Sequence, residues 1–544
     1  MIQNKMDFSM YINRFFRYFG LLALLSGCAT TDTPDVDWFA EYDALTTGTP
    51  RHMQYGRPSD GYGTSDATDT STHKMAVLLP LSGDNAPVGR TIRTSVETAI
   101  LQSGAKNLSV SFYDSADKLN DTINTILTSD PEIIVGPVFA NDARAIRDAK
   151  DINLPVLSFT SDATAIGNGV MTMALMPTNS IETIVREIKN DNPTAQFIII
   201  APDTASGKLM AGTAKHAGEI YDVPLNGIFY YTEHDSESIK NAALSASLYN
   251  TRTAAHTRAR QVISDVLTNE QLSSFEESNL TQQLEKLEKT DTLGGVPYNA
   301  VLFLGNGNDT KSLASFLRYY DVASRDARFY GTTMWDGSDI ANDFTMSGAK
   351  FATLPDSAPE FSAIYEQVSG TLPNRLATFG YDATNMAIGM IYSNKSDAAY
   401  LLDPSGYMGT DGLFRMTPNG ASERALRIVE LDGSGTPREV KPAARNFMTP
   451  LYNIEQRKIK PADSMDIETP GIDPDDFITL PERVKDKYRS KTIGATTKSA
   501  PVAQKSKLVA IVADEEETVQ SSEYKPVKLE SVSRSYIDEY EVEE

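Results

Sequence analysis

Short apolar runs alternate with amphipathic stretches from residue 75 onwards, and this alternation predicts the fold. Met75–Pro80 is continuously apolar and is followed by turn-forming residues, as expected for a strand buried on both faces of a sheet. Val88–Gln102 has the apolar spacing of an amphipathic helix. The pattern continues with further strands and helices at Leu108–Phe112, Leu119–Leu127, Ile133–Val135, Asp142–Lys150 and Pro155–Ser158. Strands that alternate with helices predict a parallel, doubly wound sheet.

A second series with the same alternation follows and predicts a second lobe. Its helices and strands are at Ile181–Lys189, Gln196–Ile200, Lys208–His216, Leu225–Tyr230, Tyr298–Leu304 and Lys311–Tyr320. Two such series predict an α/β fold of two Rossmann-like lobes, each a parallel sheet flanked by helices, with a cleft between them. We place one domain at residues 74–445, with the first lobe at 74–178 and 310–410 and the second at 179–309 and 411–434.

Residues 237–295 interrupt the second series and have the composition of helices. Apolar positions recur between Glu, Gln and Lys residues, at Leu267, Leu272, Phe275, Leu280, Leu284 and Leu287. The spacing predicts a pair of amphipathic helices inserted into the β-α scheme. Two interpretations stay open, which are a solvated hairpin and a dedicated surface for a partner.

The two flanks of this domain lack sustained periodicity. Residues 28–73 are rich in Thr, Asp, Gly, Pro and Ser, which predicts a flexible tether. In residues 446–544 the order signals are lost: residues 455–544 alternate Pro, Lys, Asp and Ser, and the last 44 residues contain 5 basic and 11 acidic side chains. This composition predicts an acidic, disordered tail.

The beginning of the chain has the pattern of a signal peptide. Arg14 and Arg17 precede a short apolar run, Phe19–Leu25, and small residues then lead to Cys28. The run is too short for a spanning helix, so residues 1–27 are predicted to be a cleaved signal. Leu25-Ser-Gly-Cys28 resembles the lipobox of bacterial lipoproteins, which implies acylation of Cys28 and a lipid anchor. Ala29 replaces the aspartate of the family's inner-membrane retention signal, which implies the periplasmic face of the outer membrane.

Composition narrows the functional classes. The formal net charge is −23, and a chain this acidic is repelled by phosphate backbones, so we predict no nucleic-acid partner. Cys28 is the only cysteine in the sequence, which excludes an intrachain disulfide and a cysteine-based zinc site. The histidines are scattered without metal-ligand spacing, at His52, His73, His216, His234 and His256. We therefore predict no metal site.

Short patterns resemble nucleotide-binding and catalytic motifs but lack necessary parts. Gly305–Ser312 follows a predicted strand like a phosphate-binding loop, yet Thr310 replaces the glycine that must precede the lysine. Residues 71–74 and 115–118 match the Ser-x-x-Lys pattern of acyl-serine enzymes, but no Lys-Thr-Gly partner occurs. We predict a chain without catalytic residues and without a cofactor.

Several motifs together resemble those of type 1 periplasmic binding proteins of the leucine/isoleucine/valine-binding class. Ala76–Gly83, Ile134–Pro137 and Pro155–Phe159 are similar to the opening strands and cleft loops of that class. Phe379–Ala383 and Gly409–Arg415 are similar to its C-terminal signature. The resemblance covers most of the predicted domain and implies the type 1 periplasmic binding protein fold.

A narrower resemblance is to the penicillin-binding protein activator lipoproteins. It rests on the lipobox, the acidic tether, the inserted helices, and the motifs at residues 78–83, 136–139, 319–321 and 333–336. It implies a non-catalytic outer-membrane lipoprotein that binds and activates a peptidoglycan synthase, a class A penicillin-binding protein, and so regulates cell-wall synthesis. The competing interpretation is a solute-binding lipoprotein of an ABC transporter for amino acids or a related small polar ligand. Gly305 and Asn306 stand where amino-acid binders of the class have an acid, which weakens a free amino acid as the ligand.

The predicted cleft loops carry the candidate ligand contacts. Loops at the carboxyl ends of parallel strands present unpaired backbone amides, and ligands bind there. The candidates are Ser82, Asn141, Thr160, Ser161, Ser206, Asn306, Trp335 and Asp336. Each has an alternative role in a turn or helix cap or, for Trp335, in a buried contact at the hinge. Trp335 and Asp336 are the preferred pair, because an aromatic ring beside a carboxylate suits a sugar or peptide, and the predicted occupant is a small polar ligand or a muropeptide.

Overall fold

A computed structural model describes residues 51–52, 72–149, 154–393, 397–447 and 459–495. The predicted signal peptide, Cys28 and residues 496–544 lie outside the described residues. The predicted tether also lies outside them, apart from residues 51–52 and 72–73.

The strands are β1 Arg51–His52, β2 His73–Leu79, β3 Leu108–Asp114, β4 Ile133–Val135, β5 Val156–Ser158, β6 Val170–Thr172, β7 Phe197–Pro202, β8 Leu225–Tyr231, β9 Ala300–Phe303, β10 Arg328–Gly331, β11 Lys350–Thr353, β12 Tyr407–Gly409, β13 Gly412–Met416, β14 Ser422–Arg424, β15 Arg427–Glu430 and β16 Arg438–Lys441. The helices are α1 Ala86–Ser103, α2 Leu119–Ser129, α3 Ala140–Ala149, α4 Pro177–Asp191, α5 Ala205–Tyr221, α6 Ser236–Ala246, α7 Tyr249–Asn269, α8 Ser274–Leu287, α9 Gly307–Tyr319, α10 Pro359–Ser369, α11 Arg375–Ile391, α12 Asp397–Leu401 and α13 Glu482–Lys485. Within the described ranges, no helix combines the length and the apolar character needed to cross a membrane.

The first lobe is built on a five-stranded parallel sheet with the order β3-β2-β4-β5-β6. Both faces of β2 are buried, because Met75, Val77 and Leu79 join one apolar cluster while Ala76 and Leu78 join another. Burying a Val, Leu or Met side chain contributes about 1.5–3 kcal/mol, so β2 is a main source of stability. The predicted parallel sheet is confirmed.

The second lobe is built on a seven-stranded sheet with the order β16-β15-β11-β10-β9-β7-β8. The five strands from β11 to β8 are parallel, β15 pairs antiparallel with β11, and β16 pairs antiparallel with β15. Helices α4, α5, α6 and α9 flank this sheet. The predicted α/β fold with parallel sheets and flanking helices is therefore confirmed for both lobes.

The predicted assignment of the later segments to the lobes is wrong in two places. Residues 310–410 are predicted to lie in the first lobe, but β10 pairs with β9 and β11 pairs with β10 in the second sheet, and only α10 and α11 return to pack on α1. Residues 411–434 were placed in the second lobe, but β13 and β14 belong to a separate four-stranded sheet, β1-β12-β13-β14, and only β15 joins the second. Apolar periodicity identifies a strand but does not show which sheet receives it.

The predicted insertion contains one regular helix and one hairpin. Helix α6 packs on β8 and α9 as an ordinary crossover helix of the second lobe, and only α7 and α8 form the inserted hairpin. Residues 459–495, which we call the strap, lie along this hairpin and the second sheet. The disordered-tail prediction is therefore wrong for the strap, because its few apolar side chains are buried one by one on surfaces that local composition does not reveal.

Candidate functional site

The candidate residues all follow the carboxyl ends of parallel strands, as predicted. Ser82 follows β2, Asn141 lies in the first turn of α3 after β4, and Thr160 and Ser161 follow β5. In the second lobe, Ser206 lies in the first turn of α5 after β7. Asn306 precedes α9 after β9, and Trp335 and Asp336 follow β10. This is the placement that the predicted cleft requires, and the local contacts decide which of these groups are available.

Ser82 belongs to a turn that joins the ends of β2 and β3. The Asp114 carboxylate accepts the Leu81 amide at 2.8 Å and the Ala116 amide at 3.0 Å. Burial raises the pKa of Asp114, but hydrogen bonds from the Ser82 hydroxyl and these amides outweigh it, and the pKa is lowered overall. The Ser82 hydroxyl is therefore engaged in holding this turn.

A polar cluster covers the ends of β4 and β5. Arg144 donates from Nη1 to Asn141 Oδ1 at 2.7 Å and from Nη2 to Asp162 Oδ2 at 2.5 Å. The Asp162 carboxylate also accepts the backbone amide of Thr164 at 2.8 Å. The side chains of Arg144 and Asp162 are about one-third exposed, at 35% and 34%. Asn141 is exposed and oriented by Arg144, whose charge is balanced by Asp162.

Thr160 and Ser161 differ in exposure although they are neighbours. Thr160 is buried, its Oγ1 accepts the Asp162 amide at 3.1 Å, and its carbonyl accepts the Thr172 hydroxyl at 2.5 Å. Ser161 is exposed. Thr160 is therefore a structural turn residue, and Ser161 is the hydroxyl of this loop that faces solvent.

Of the second-lobe candidates, Asn306 caps a helix and Ser206 lies beside a capping residue. Asn306 is the N-cap of α9: its Oδ1 accepts the Asp309 amide at 2.9 Å and its Nδ2 donates to Asp309 Oδ2 at 3.1 Å. Ser206 is half-buried beside Thr204, the N-cap of α5, whose hydroxyl accepts the Gly207 amide at 3.0 Å. These contacts satisfy helix N-termini that otherwise lack partners.

Trp335 is not available to a ligand, so this part of the site prediction is wrong. Its side chain is 1% exposed and packs between Phe303 and Phe351, with ring centroids 6.2 and 5.8 Å apart. The indole lies against Gly331, where a Cβ atom would come within 2.3 Å of the ring. A large apolar ring at the end of a buried strand gains more from this burial than from solvent contact. Among the described residues, its Nε1 has no hydrogen-bond partner.

Asp336 makes a contact that sequence reasoning missed. Arg375, at the start of α11, donates from Nη2 to Asp336 Oδ2 at 3.4 Å. Its Nη1 donates to Asp411 Oδ1 at 2.9 Å and to the Pro355 carbonyl at 2.8 Å. Arg375 therefore joins the end of β10 in the second lobe to α11, which packs on the first. The sequence signal was only a basic residue directly after Asn374, the N-cap of α11.

Two buried carboxyl groups lie behind Arg375. Asp382 is fully buried and accepts the Thr410 amide at 3.0 Å and the Thr410 hydroxyl at 3.0 Å. Burial raises the pKa of Asp382 to about 7, the neighbouring Asp411 adds to the effect, and Arg424 and Thr410 oppose it. Burial also raises the pKa of Asp411, against the lowering effect of Arg375 and Thr378. The two motifs that carried the C-terminal resemblance thus build a buried polar junction.

The arrangement suits recognition of polar groups. Within the described residues, each first-lobe candidate makes its hydrogen bonds inside its own lobe, and Asp336 is the candidate shown reaching across, through Arg375. The exposed groups that remain are Ser161, Asn141 and half-exposed Asp336. No cluster of three or more potential metal-ligating side chains occurs in the part of the chain that the structure describes.

Curated proteins that are similar to this chain in sequence are named penicillin-binding protein activators. No protein-family model matches the chain. The penicillin-binding protein activator LpoA of Histophilus somni strain 129Pt is 22% identical over 217 residues, which are 39% of this chain and 37% of that protein. LpoA of Mannheimia succiniciproducens is 27% identical over 168 residues, or 30% of this chain and 29% of that protein. The matches thus span 29–37% of the relatives' length.

A solved structure supports the fold. A putative branched-chain amino acid ABC transporter protein from Rhodospirillum rubrum superposes with a TM-score of 0.51 at 17% identity, covering 68% of this chain and 100% of that one. The type 1 periplasmic binding protein fold implied by the motifs is confirmed. The resemblance to penicillin-binding protein activators is also confirmed, at low sequence identity.

Proposed function

We propose that this chain is a non-catalytic outer-membrane lipoprotein that binds a class A penicillin-binding protein and raises its rate of peptidoglycan synthesis. The observation that carries the proposal is the sequence similarity to two curated relatives that are both named as penicillin-binding protein activators. Those names describe proteins that act on another protein, which agrees with a regulatory and non-catalytic role.

The decisive experiment measures binding and stimulation together. Purified chain starting at residue 28, with Cys28→Ser, is mixed with a class A synthase from the same cells, and complex formation and glycan polymerisation are followed. We expect a complex and an increased rate. A leucine-binding protein of the same fold is the matched control. Absence of both a complex and stimulation would refute the proposal.

The location of the chain is part of the proposal. We expect Cys28 to carry lipid, so that labelled fatty acid is incorporated into the wild-type protein and not into Cys28→Ser. The wild-type protein should then fractionate with outer membranes. An unlabelled wild-type protein recovered in the cytosol would contradict this part.

The proposal includes a ligand: the cleft binds a small polar molecule such as a muropeptide. Ser161, Asn141 and Asp336 are the exposed polar groups that support it. A ligand that binds the folded state raises the thermal midpoint according to its concentration relative to Kd. We expect a muropeptide to raise the midpoint of the wild-type protein and to lose this effect in Ser161→Ala. No shift with muropeptides in the wild type would remove the ligand from the proposal.

A further inference from the structure

The strap pairs with the free edge of the second sheet. Strand β8 is the last strand of the sheet order, so within the described residues one side of its backbone has no neighbouring strand of the sheet. The Ile228 amide donates to the Met465 carbonyl at 2.8 Å, and the Met465 amide donates to the Ile228 carbonyl at 3.0 Å. The Tyr230 hydroxyl donates to the Ala462 carbonyl at 2.7 Å. An exposed strand edge is a template for pairing with another chain, and here the strap occupies it.

The first half of the strap contains Lys460 to Ile467, and the surface under it is shaped to receive a peptide backbone. Gly212 of α5 lies so close to the strap that a Cβ atom there would be 2.0 Å from the Lys460 carbonyl oxygen. Ile467 is 3% exposed and enters the apolar cluster of the second lobe. A Cβ atom on Gly227 would lie 3.1 Å from its side chain. Backbone pairing, a close glycine and a side-chain pocket together form a peptide-binding groove.

The second half of the strap covers the apolar face of the α7–α8 hairpin. Ile472 and Ile493 pair through two backbone hydrogen bonds of 2.8 Å and close the segment into a loop. Ile478 and Val484 from this loop are buried in one cluster with the apolar residues of α7 and α8. Gln283 of α8 donates to the Thr479 carbonyl at 3.1 Å and accepts the Thr479 amide at 2.7 Å.

Ion pairs define the register of this half. Arg483 pairs with Glu276 of α8, and Lys487 Nζ lies 2.6 Å from Glu270 Oε1. These groups are at the surface, where an ion pair contributes little stability. The buried Ile478 and Val484 therefore carry the attachment, and the charges select the position of the segment along α8.

We propose that the β8 edge and the apolar face of the α7–α8 hairpin form one peptide-binding surface and that the strap is its intramolecular ligand. This surface binds an extended segment that adds a strand at β8. The segment continues with two aliphatic side chains that become buried and two basic residues. Release of the strap opens this surface for a second peptide of the same pattern. The inference stands independently of the proposed function.

Amide hydrogen exchange in the full chain tests the pairing between the first half of the strap and β8. Met465→Pro removes the amide that donates to Ile228, whereas the control Met465→Ala keeps it. The Ile228 amide donates to the strap, so we expect its exchange to be on the order of tenfold faster in Met465→Pro than in Met465→Ala. Equal exchange of the Ile228 amide in both variants would overturn the proposal.

Peptide exchange tests the whole surface. A protease site placed between Phe447 and Ile459 of the full chain is cut after purification, and a fluorescent peptide of residues 459–495 is added in excess. We expect saturable uptake of this peptide and of a Lys485→Asp control, in which an exposed residue is changed. Uptake of a Val484→Asp peptide is expected to be lost. No saturable uptake, or equal uptake of the Val484→Asp peptide, would overturn the proposal.

Discussion

Asp382 shows how one buried carboxyl group links stability to pH. Its pKa is raised from the ordinary aspartate value of 3.8 to about 7 in the folded protein, first by burial and then by Asp411. The folded state therefore binds more protons than the unfolded state between these values. The contribution of Asp382 to stability is fully present below about pH 4 and is lost as the pH rises through about 7.

Replacing Asp382 by Asn should remove this pH dependence. We expect the free energy of unfolding of the wild type to fall between pH 4.5 and pH 7.5 more steeply than that of Asp382→Asn, as measured by urea denaturation. Asp84→Asn, at an exposed loop position, is the control and should keep the wild-type slope. Parallel slopes for the wild type and Asp382→Asn would show that the group titrates near its ordinary pKa.

Gly331 is the residue that allows Trp335 to be buried. A methyl group at this position would lie 2.3 Å from the indole, so Gly331→Ala overpacks the core, and we expect it to lower the free energy of unfolding by about 1–3 kcal/mol. At Gly295 nothing lies within 4 Å of an added Cβ atom, so Gly295→Ala is the matched control. Equal urea midpoints for the two variants would contradict the packing of Trp335.

Local hydrogen bonding explains why several predicted ligand contacts are structural. Residues at strand ends first satisfy polar groups next to them, as Asn306 does for the Asp309 amide of α9 and Ser82 does for the Asp114 carboxylate at the end of β3. Sequence reasoning identified the right loops, since the carboxyl ends of parallel strands follow from the element order. It could not separate exposed Ser161 from buried Thr160, because that difference depends on the Thr172 hydroxyl of another strand.

At the scale of elements, Arg252 attaches the inserted hairpin to the second lobe. This side chain of α7 is 4% exposed and donates from Nε to the Gly294 carbonyl at 3.0 Å, from Nη1 to the Tyr320 carbonyl at 3.1 Å and from Nη2 to Thr292 Oγ1 at 3.0 Å. Two separate segments, the loop after α8 and the end of α9, thus depend on one guanidinium group, which holds the hairpin in one orientation.

Arg252→Met should loosen the hairpin by leaving buried acceptors without donors. We expect the free energy of unfolding to fall by about 1–3 kcal/mol and amide exchange to accelerate throughout α7 and α8. Arg260→Met removes a surface pair with Glu288 at 3.6 Å and serves as the control, with a change within about 0.5 kcal/mol. A loss in Arg260→Met as large as that in Arg252→Met would argue against a specific anchor.

The elements themselves were largely predictable, and the exceptions have one cause. The predicted strands of the first sheet match β2 to β5 to within two residues, because apolar runs bounded by turn residues are local signals, whereas the short strand β6 was not predicted. The strap was missed because Ile467, Ile478 and Val484 are isolated apolar residues in a polar segment. Their burial can be recognised only once the surface on which each of them packs, built from a distant part of the chain, is known.

At the scale of the whole molecule, the contact between Arg375 and Asp336 connects the two lobes. The Asp336 side chain is 38% exposed and the Nη2–Oδ2 distance is 3.4 Å, so the pair is partly screened by solvent. A contact of this strength biases the relative position of two lobes without locking it. Asp411 holds Arg375 from the other side, at 2.9 Å.

Asp336→Asn should shift the molecule towards a more open arrangement. With fluorescent labels on the two lobes, we expect the ratio of open to closed molecules to rise by roughly two- to fivefold. Asp339→Asn breaks a pair with Lys311 inside the second lobe and leaves the lobe contact intact, so it is the control. Identical distance distributions for Asp336→Asn and Asp339→Asn would remove Arg375 as a connection between the lobes.

The order of apolar and polar residues was sufficient to determine the alternating elements, the parallel sheets, two lobes and the loops that form the cleft wall, because each depends on neighbours within a few residues. The tertiary structure alone decided that β10 and β11 join the second sheet, that Trp335 is buried, that Arg375 reaches Asp336, and that the strap closes the β8 edge. These outcomes depend on which surfaces meet across long chain separations. Burial and hydrogen bonding at such contacts depend on groups that no local window of sequence contains.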